Sequence, residues 1–126
     1  MVMEILGSEA EGFCAIKSTE HWTVAIINDS AAMHLENVES VSRHNETDEV
    51  FVLLAGKACV YVGGGEKTPV TLRRHELECG KAFVVTRGSW HATVTTPGCK
   101  IFVTENAGTG SANTDRIPVS DVNFED

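Results

Sequence analysis

Three residues in this chain of 126 combine side chain and spacing in a way that could do chemistry: His44, Glu49 and His91. His44 lies in Ser42-Arg43-His44-Asn45-Glu46-Thr47-Asp48-Glu49, a polar turn that leads into the apolar run Val50-Phe51-Val52-Leu53-Leu54. A carboxylate at the head of such a run is costly to bury unless it is paired, hydrogen-bonded or metal-bound, although at an exposed rim it costs nothing. His91 follows Gly88-Ser89-Trp90 and opens a further β-rich run. Two imidazoles and a carboxylate, each at a strand end, could converge inside a small barrel, and such a set resembles the 2-His-1-carboxylate arrangement with open positions used by some non-haem iron enzymes.

Short strands must position them. Runs rich in Val, Ile, Thr, Phe and Tyr recur at 22–27, 38–43, 49–54, 57–62, 69–72, 82–85, 91–96 and 100–105, with Gly, Asn and Asp between. Many short strands at close spacing predict an all-β sandwich or barrel. No long stretch holds apolar residues at helical spacing; 31–38 is expected to form a turn or two of helix at most. Side chains at alternate strand positions share a face, so Ser42 and His44 point the same way, while Trp90 faces opposite His91 and is expected to pack on the outside. Gly56 is expected to supply the positive φ of a tight hairpin. The stretch 106–113 reads as a loop. Ile117, Pro118, Val119 and Val122 then predict a tail, 106–126, that packs on the barrel or on a partner.

Composition narrows the function. The length fits one domain spanning 1–126, and with 42% hydrophobic and 22% charged residues the chain is not disordered. The net charge of −8 and the scattered basic residues argue against nucleic acid and against an anionic membrane surface. No apolar run approaches the ~20 residues of a membrane span. The N-terminus has acidic residues and no basic n-region, so no secretory signal is expected. Cys14, Cys59, Cys79 and Cys99 form no Cys-x-x-Cys pair and are expected to be reduced thiols in a cytoplasmic protein.

Two half-motifs carry a family resemblance. The first reads Ser42-x-His44, four residues, Glu49, six residues, Gly56; the second reads Gly80, five residues, Thr86-x-Gly88, two residues, His91, three residues, Thr95. With the 23 residues between them, they resemble the two motifs of the cupin superfamily over roughly 38–105. The resemblance implies an all-β double-stranded β-helix, the jelly-roll barrel of RmlC-like cupins. It also implies a divalent metal (iron, manganese, zinc or nickel) held by His44, Glu49 and His91. The chain departs from the pattern at Ser42, where metal-binding cupins place another histidine. Glu36 or a neighbour stands where the first motif has glycine, Thr86 where the second has proline and Thr95 where it has asparagine. Three protein ligands are enough for catalytic zinc or for a facial triad. Glu46 is a weaker substitute for the missing ligand.

Around the three ligands, Ser42, Tyr61 and Arg87 are candidates to line the pocket: Tyr61 with its hydroxyl, Arg87 as a contact for a carboxylate or phosphate. An ordinary β-former in a strand is the plainer account of Tyr61. Arg73-Arg74-His75 reads as a solvated edge, and His21 and His34 as surface residues. Cys59 has no base beside it to activate it. Two functions remain open. One is a metal-dependent enzyme acting on a small molecule by isomerisation, decarboxylation (lyase), hydrolysis or oxygenation. The other is a non-catalytic, even metal-free, module that binds a small metabolite such as a sugar or organic acid. The resemblance also implies a homodimer.

Overall fold

The computed structural model describes residues 2–126. Its eleven strands are β1 (Gly12–Ser18), β2 (Trp22–Asn28), β3 (Ser40–His44), β4 (Glu49–Ala55), β5 (Ala58–Gly63), β6 (Val70–Glu76), β7 (Ala82–Val85), β8 (Trp90–Thr95), β9 (Lys100–Asn106), β10 (Thr114–Pro118) and β11 (Val122–Glu125). They form a five-stranded sheet in the order β1-β2-β9-β4-β7 and a six-stranded sheet in the order β10-β3-β8-β5-β6-β11. All pairings are antiparallel except β11 with β6. Two short 3-10 turns, Ala31–Met33 and Leu35–Asn37, are the turn or two of helix expected over 31–38.

Strand alternation builds the interior. In β4, Glu49, Phe51 and Leu53 are buried, while Val50 and Val52 on the other face are half-buried. The main core, between the sheets, gathers Phe51, Leu53, Val60, Ile101 and Val103 with Ala25 and Ile27. Each of the larger side chains contributes about 1.5–3 kcal/mol by leaving water. Because Glu49 has the same parity as Phe51 and Leu53, the strand that builds the core also carries its carboxylate inward. The hairpin from β4 to β5 turns on Gly56 at φ 71°, where an added Cβ would come within 2.8 Å of the Gly98 carbonyl oxygen.

A second core covers the far face of the six-stranded sheet. Val41, Tyr61, Leu72, Trp90 and Val94 are buried there under Ile117, Val122 and Phe124 of the C-terminal segment. β10 pairs with β3 at one edge and β11 with β6 at the other, so the tail wraps over that face. Trp90 points away from His91, as its parity requires, and sits under the Arg43 guanidinium, 4.6 Å from the ring centroid. The sequence reading did not include β1, β10 or β11, and β6 continues through Arg73, Arg74 and His75 to Glu76. No helix among the described residues is long and apolar enough to cross a membrane.

Candidate metal centre

His44, Glu49 and His91 meet inside the barrel. One candidate ligand atom from each lies within 4.8 Å of the other two. Glu49 Oε1 is 3.0 Å from His91 Nε2 and 3.2 Å from His44 Nε2, and the two imidazole centroids are 5.1 Å apart. Three strands supply them: His44 ends β3, Glu49 begins β4 and His91 is the second residue of β8.

The surroundings fix the rings. His91 Nδ1–H donates to the Ser89 carbonyl at 3.1 Å, and His44 Nδ1 is 2.9 Å from the Thr114 hydroxyl. Both nitrogens of His91 thus face oxygen acceptors, a contact that closes either through a second ring proton or through a cation beside Nε2. Hydrogen-bonding the outer nitrogen to a carbonyl is also how metal-ligating histidines are oriented. Burial by itself would raise the pKa of Glu49, but the hydrogen bonds and charges of His44 and His91 outweigh it and hold the carboxyl at about 2. The hydrogen bond to Glu49 raises the pKa of His44, against the opposing pull of burial.

The residues fit a metal ion. Donors sharing an ion at ~2.0–2.2 Å stand about 3.0–3.5 Å apart, the spacing of Glu49 Oε1 from the two Nε2 atoms. Imidazole nitrogen with carboxylate oxygen suits iron, manganese, zinc or nickel. The three line a cavity of about 690 Å³ whose wall also includes Ser42, Glu105, Thr114 and Arg116. Ser42 sits in the barrel wall directly opposite His91 in the β3–β8 pairing.

Two of the sequence candidates lie elsewhere. Tyr61 belongs to the second core: its ring packs against Phe124 at 5.1 Å and its hydroxyl donates to Asp126 at 3.1 Å. Its neighbour Val62, opposite His91, has the inward parity. Arg87 lines a separate cavity of about 540 Å³ with Glu46 and Asp48, and its backbone N–H donates to Asp48 Oδ1 at 2.8 Å. Glu46 is held outside the triad by Asn113, whose side-chain N–H donates to it at 2.7 Å. His34 is not a free surface residue: it pairs with Asp29 at 2.8 Å. All four cysteines are free thiols.

Sequence reasoning missed Glu105 and Arg116. Glu105 is directly opposite Glu49 across β4 and β9, and burial followed by the Glu49 charge raises its pKa. Its signal was a carboxylate sharing parity with Ile101 and Val103. Arg116 is opposite Ser42 in the β10–β3 pairing. It lay in a stretch read as a tail, so nothing local linked it to the motifs.

No protein-family model matches the chain, and no curated protein matches it by sequence. Solved structures do match. An RmlC-like cupin family protein with a double-stranded β-helix fold from Methanocaldococcus jannaschii superposes with a TM-score of 0.54 at 11% identity, over 84% of this chain and 92% of that one. A Streptomyces PAC13 structure with uridine gives 0.61 at 6% identity, over 94% and 93%. Fe(II)-HppE with an alternative substrate gives 0.51 at 14% identity, over 75% of this chain and 48% of HppE. At these identities the likeness is one of fold, and it agrees with the two-sheet, all-β architecture. The chain thus has the double-stranded β-helix fold of RmlC-like cupin proteins.

Proposed function

We propose that the barrel binds a divalent metal ion through His44, Glu49 and His91 and presents it to a small molecule. The convergence of two Nε2 atoms on one buried carboxylate oxygen carries this reading. Fe(II) in HppE, a protein of the same fold, adds support. The bound ion would supply Lewis-acid or redox chemistry at its open positions. The chain's own residues would orient the ligand rings through Ser89 and Thr114 and line the cavity in front of them. Elemental analysis of untagged protein tests this: near-stoichiometric metal is expected in the wild type and its loss in His44→Ala and His91→Ala. Unchanged metal content in both variants would overturn the assignment.

One observation favours the second reading, a metal-free binding barrel. Among the described residues, no buried side-chain nitrogen or oxygen lacks a hydrogen-bond partner, so the His–Glu–His cluster can satisfy itself. A wild-type protein that stays empty after incubation with divalent ions would establish that reading in place of the first.

We further infer a homodimer that packs on the outer face of the five-stranded sheet. Cross-strand register lines up Cys14, Ile26, Phe102, Val52 and Ala82 in one row, and Lys17, Val24, Thr104, Val50 and Val84 in the next. An antiparallel sheet facing water normally alternates apolar with polar; these rows hold one charge, Lys17. A face with so few charges adds no local like-charge contacts to the general repulsion between two copies of net charge −8.

A further inference from the structure

Arg116 is the one Lys or Arg among the residues lining the main cavity, and among the described residues its side chain makes no ion pair or hydrogen bond. Its direction follows from its neighbours. Ile117 packs into the second core on the far face of the sheet, while Thr114 reaches His44. Arg116 has the parity of Thr114 and therefore the inward face. Register places it in a row across three strands, Arg116 opposite Ser42 and Ser42 opposite His91. The middle position of that row is a small hydroxyl side chain, so no bulky group stands between the guanidinium and the triad.

The rest of the wall defines what would fit. Ser40, Ser42, Thr93, Thr109, Ser111 and Thr114 line it with hydroxyls, which suits a partner rich in hydroxyls. Glu39, Glu49 and Glu105 line it with carboxylates, which together disfavour a ligand of high negative charge. One free guanidinium in that company matches a single carboxylate, which it can grip through two parallel N–H bonds. A doubly charged phosphate would meet more repulsion from the three glutamates. The backbones of Arg116 and His91 are two strand spacings apart, about 10 Å, a distance on the scale of a six-carbon acid.

We infer that Arg116 is a specificity-determining residue that binds the carboxylate of a small hydroxylated acid, with the hydroxyl-bearing end of that acid lying over Ser42 toward the triad. The inference rests on the reading of the triad as the metal-facing end of the cavity. It departs from the sequence expectation in placing the anion contact on β10 rather than at Arg87.

Calorimetric titration with gluconate, with glucitol (the same hydroxyl chain without the carboxylate) and with glycerol phosphate tests it. The proteins are the wild type, Arg116→Gln and Arg116→Lys, each of measured metal content and each repeated after dialysis against chelator. Wild type is expected to bind gluconate at least about tenfold more tightly than glucitol. Arg116→Gln is expected to abolish that preference with metal content unchanged. Arg116→Lys is expected to keep part of it, because an ammonium retains the charge but not the fork. Gluconate binding no tighter than glucitol, or equally tight in Arg116→Gln, overturns the proposal. Tighter binding of glycerol phosphate than gluconate overturns the carboxylate assignment. A gluconate preference that depends on Arg116 in a protein that never takes up metal would leave the anion contact standing and remove the metal reading. Metal bound without that preference would do the reverse.

Discussion

Glu49 carries a pH signature that can be worked out before any ligand is known. Its carboxyl titrates at about 2 in the folded protein against an ordinary 4.5. The unfolded chain therefore takes up a proton over a range in which the folded chain does not. The stability this supplies is fully present above pH ~4.5 and is lost as pH falls through about 2. The difference corresponds to on the order of 3 kcal/mol, of which roughly two-thirds is gone by pH 3. Glu49 is only 6% exposed, so solvent screening takes little from that figure. His44 works with the opposite sign: its raised pKa gives stability that is full below 6.5 and is lost as pH rises through its folded value. The contact is thus strongest between about pH 4.5 and 6.5. The perturbation is Glu49→Gln, which keeps the shape and removes the charge. The assay is urea unfolding at pH 6, 5, 4 and 3 with chelator present, so that no bound metal adds stability. At pH 6 the variant is expected to be less stable than the wild type by ~2–3 kcal/mol, and the gap is expected to shrink to ~1 kcal/mol by pH 3. Curves that run parallel from pH 6 to pH 3 would refute the reasoning, because the carboxylate charge would then not be what the fold holds in place.

Ser42→His is expected to tighten metal binding by about tenfold or more, since position 42 faces His91 across the β3–β8 pair; competition against a fluorescent chelator reads this, and unchanged affinity would place the side chain away from the ion. Gly56→Ala is expected to cost about 2 kcal/mol or more in chemical denaturation, because a left-handed backbone and a Cβ pressed onto Cys99 and Gly98 act together; a cost below ~0.5 kcal/mol would show that the hairpin relaxes freely. Phe102→Lys, in the middle of the outer apolar row, is expected to convert a dimer to monomer in sedimentation while the barrel stays folded; a wild type that sediments as a monomer would remove the dimer inference.

The all-β class, eight of the strands and the three side chains that cluster inside the barrel, His44, Glu49 and His91, were legible in the residues themselves. Strand alternation is a local, period-two property, so the parity of Glu49 with Phe51 and Leu53, or of Ser42 with His44, needs no tertiary knowledge. The same rule turned Trp90 away from His91, to the far face of the six-stranded sheet. It failed where facing depends on what covers a sheet. Tyr61 has the parity of Cys59 and lies on the far face, which is an interior only because the C-terminal strands close over it. Nothing near Tyr61 in sequence could announce that.

Pairing at long range decided the remainder. Glu105 reaches Glu49, and Arg116 reaches Ser42, across separations of dozens of residues that are bridged only by the order of strands in the two sheets. Arg87 had the more suggestive local setting, after a strand and before a glycine, yet the turn carries it to a separate cavity. Residue type and spacing by themselves determined which side chains could act as ligands and which face of each strand they occupy. Tertiary structure alone decided which faces close into a cavity and which distant charges enter it, because hydrogen-bonded register between strands is set by the whole sheet and not by any single segment.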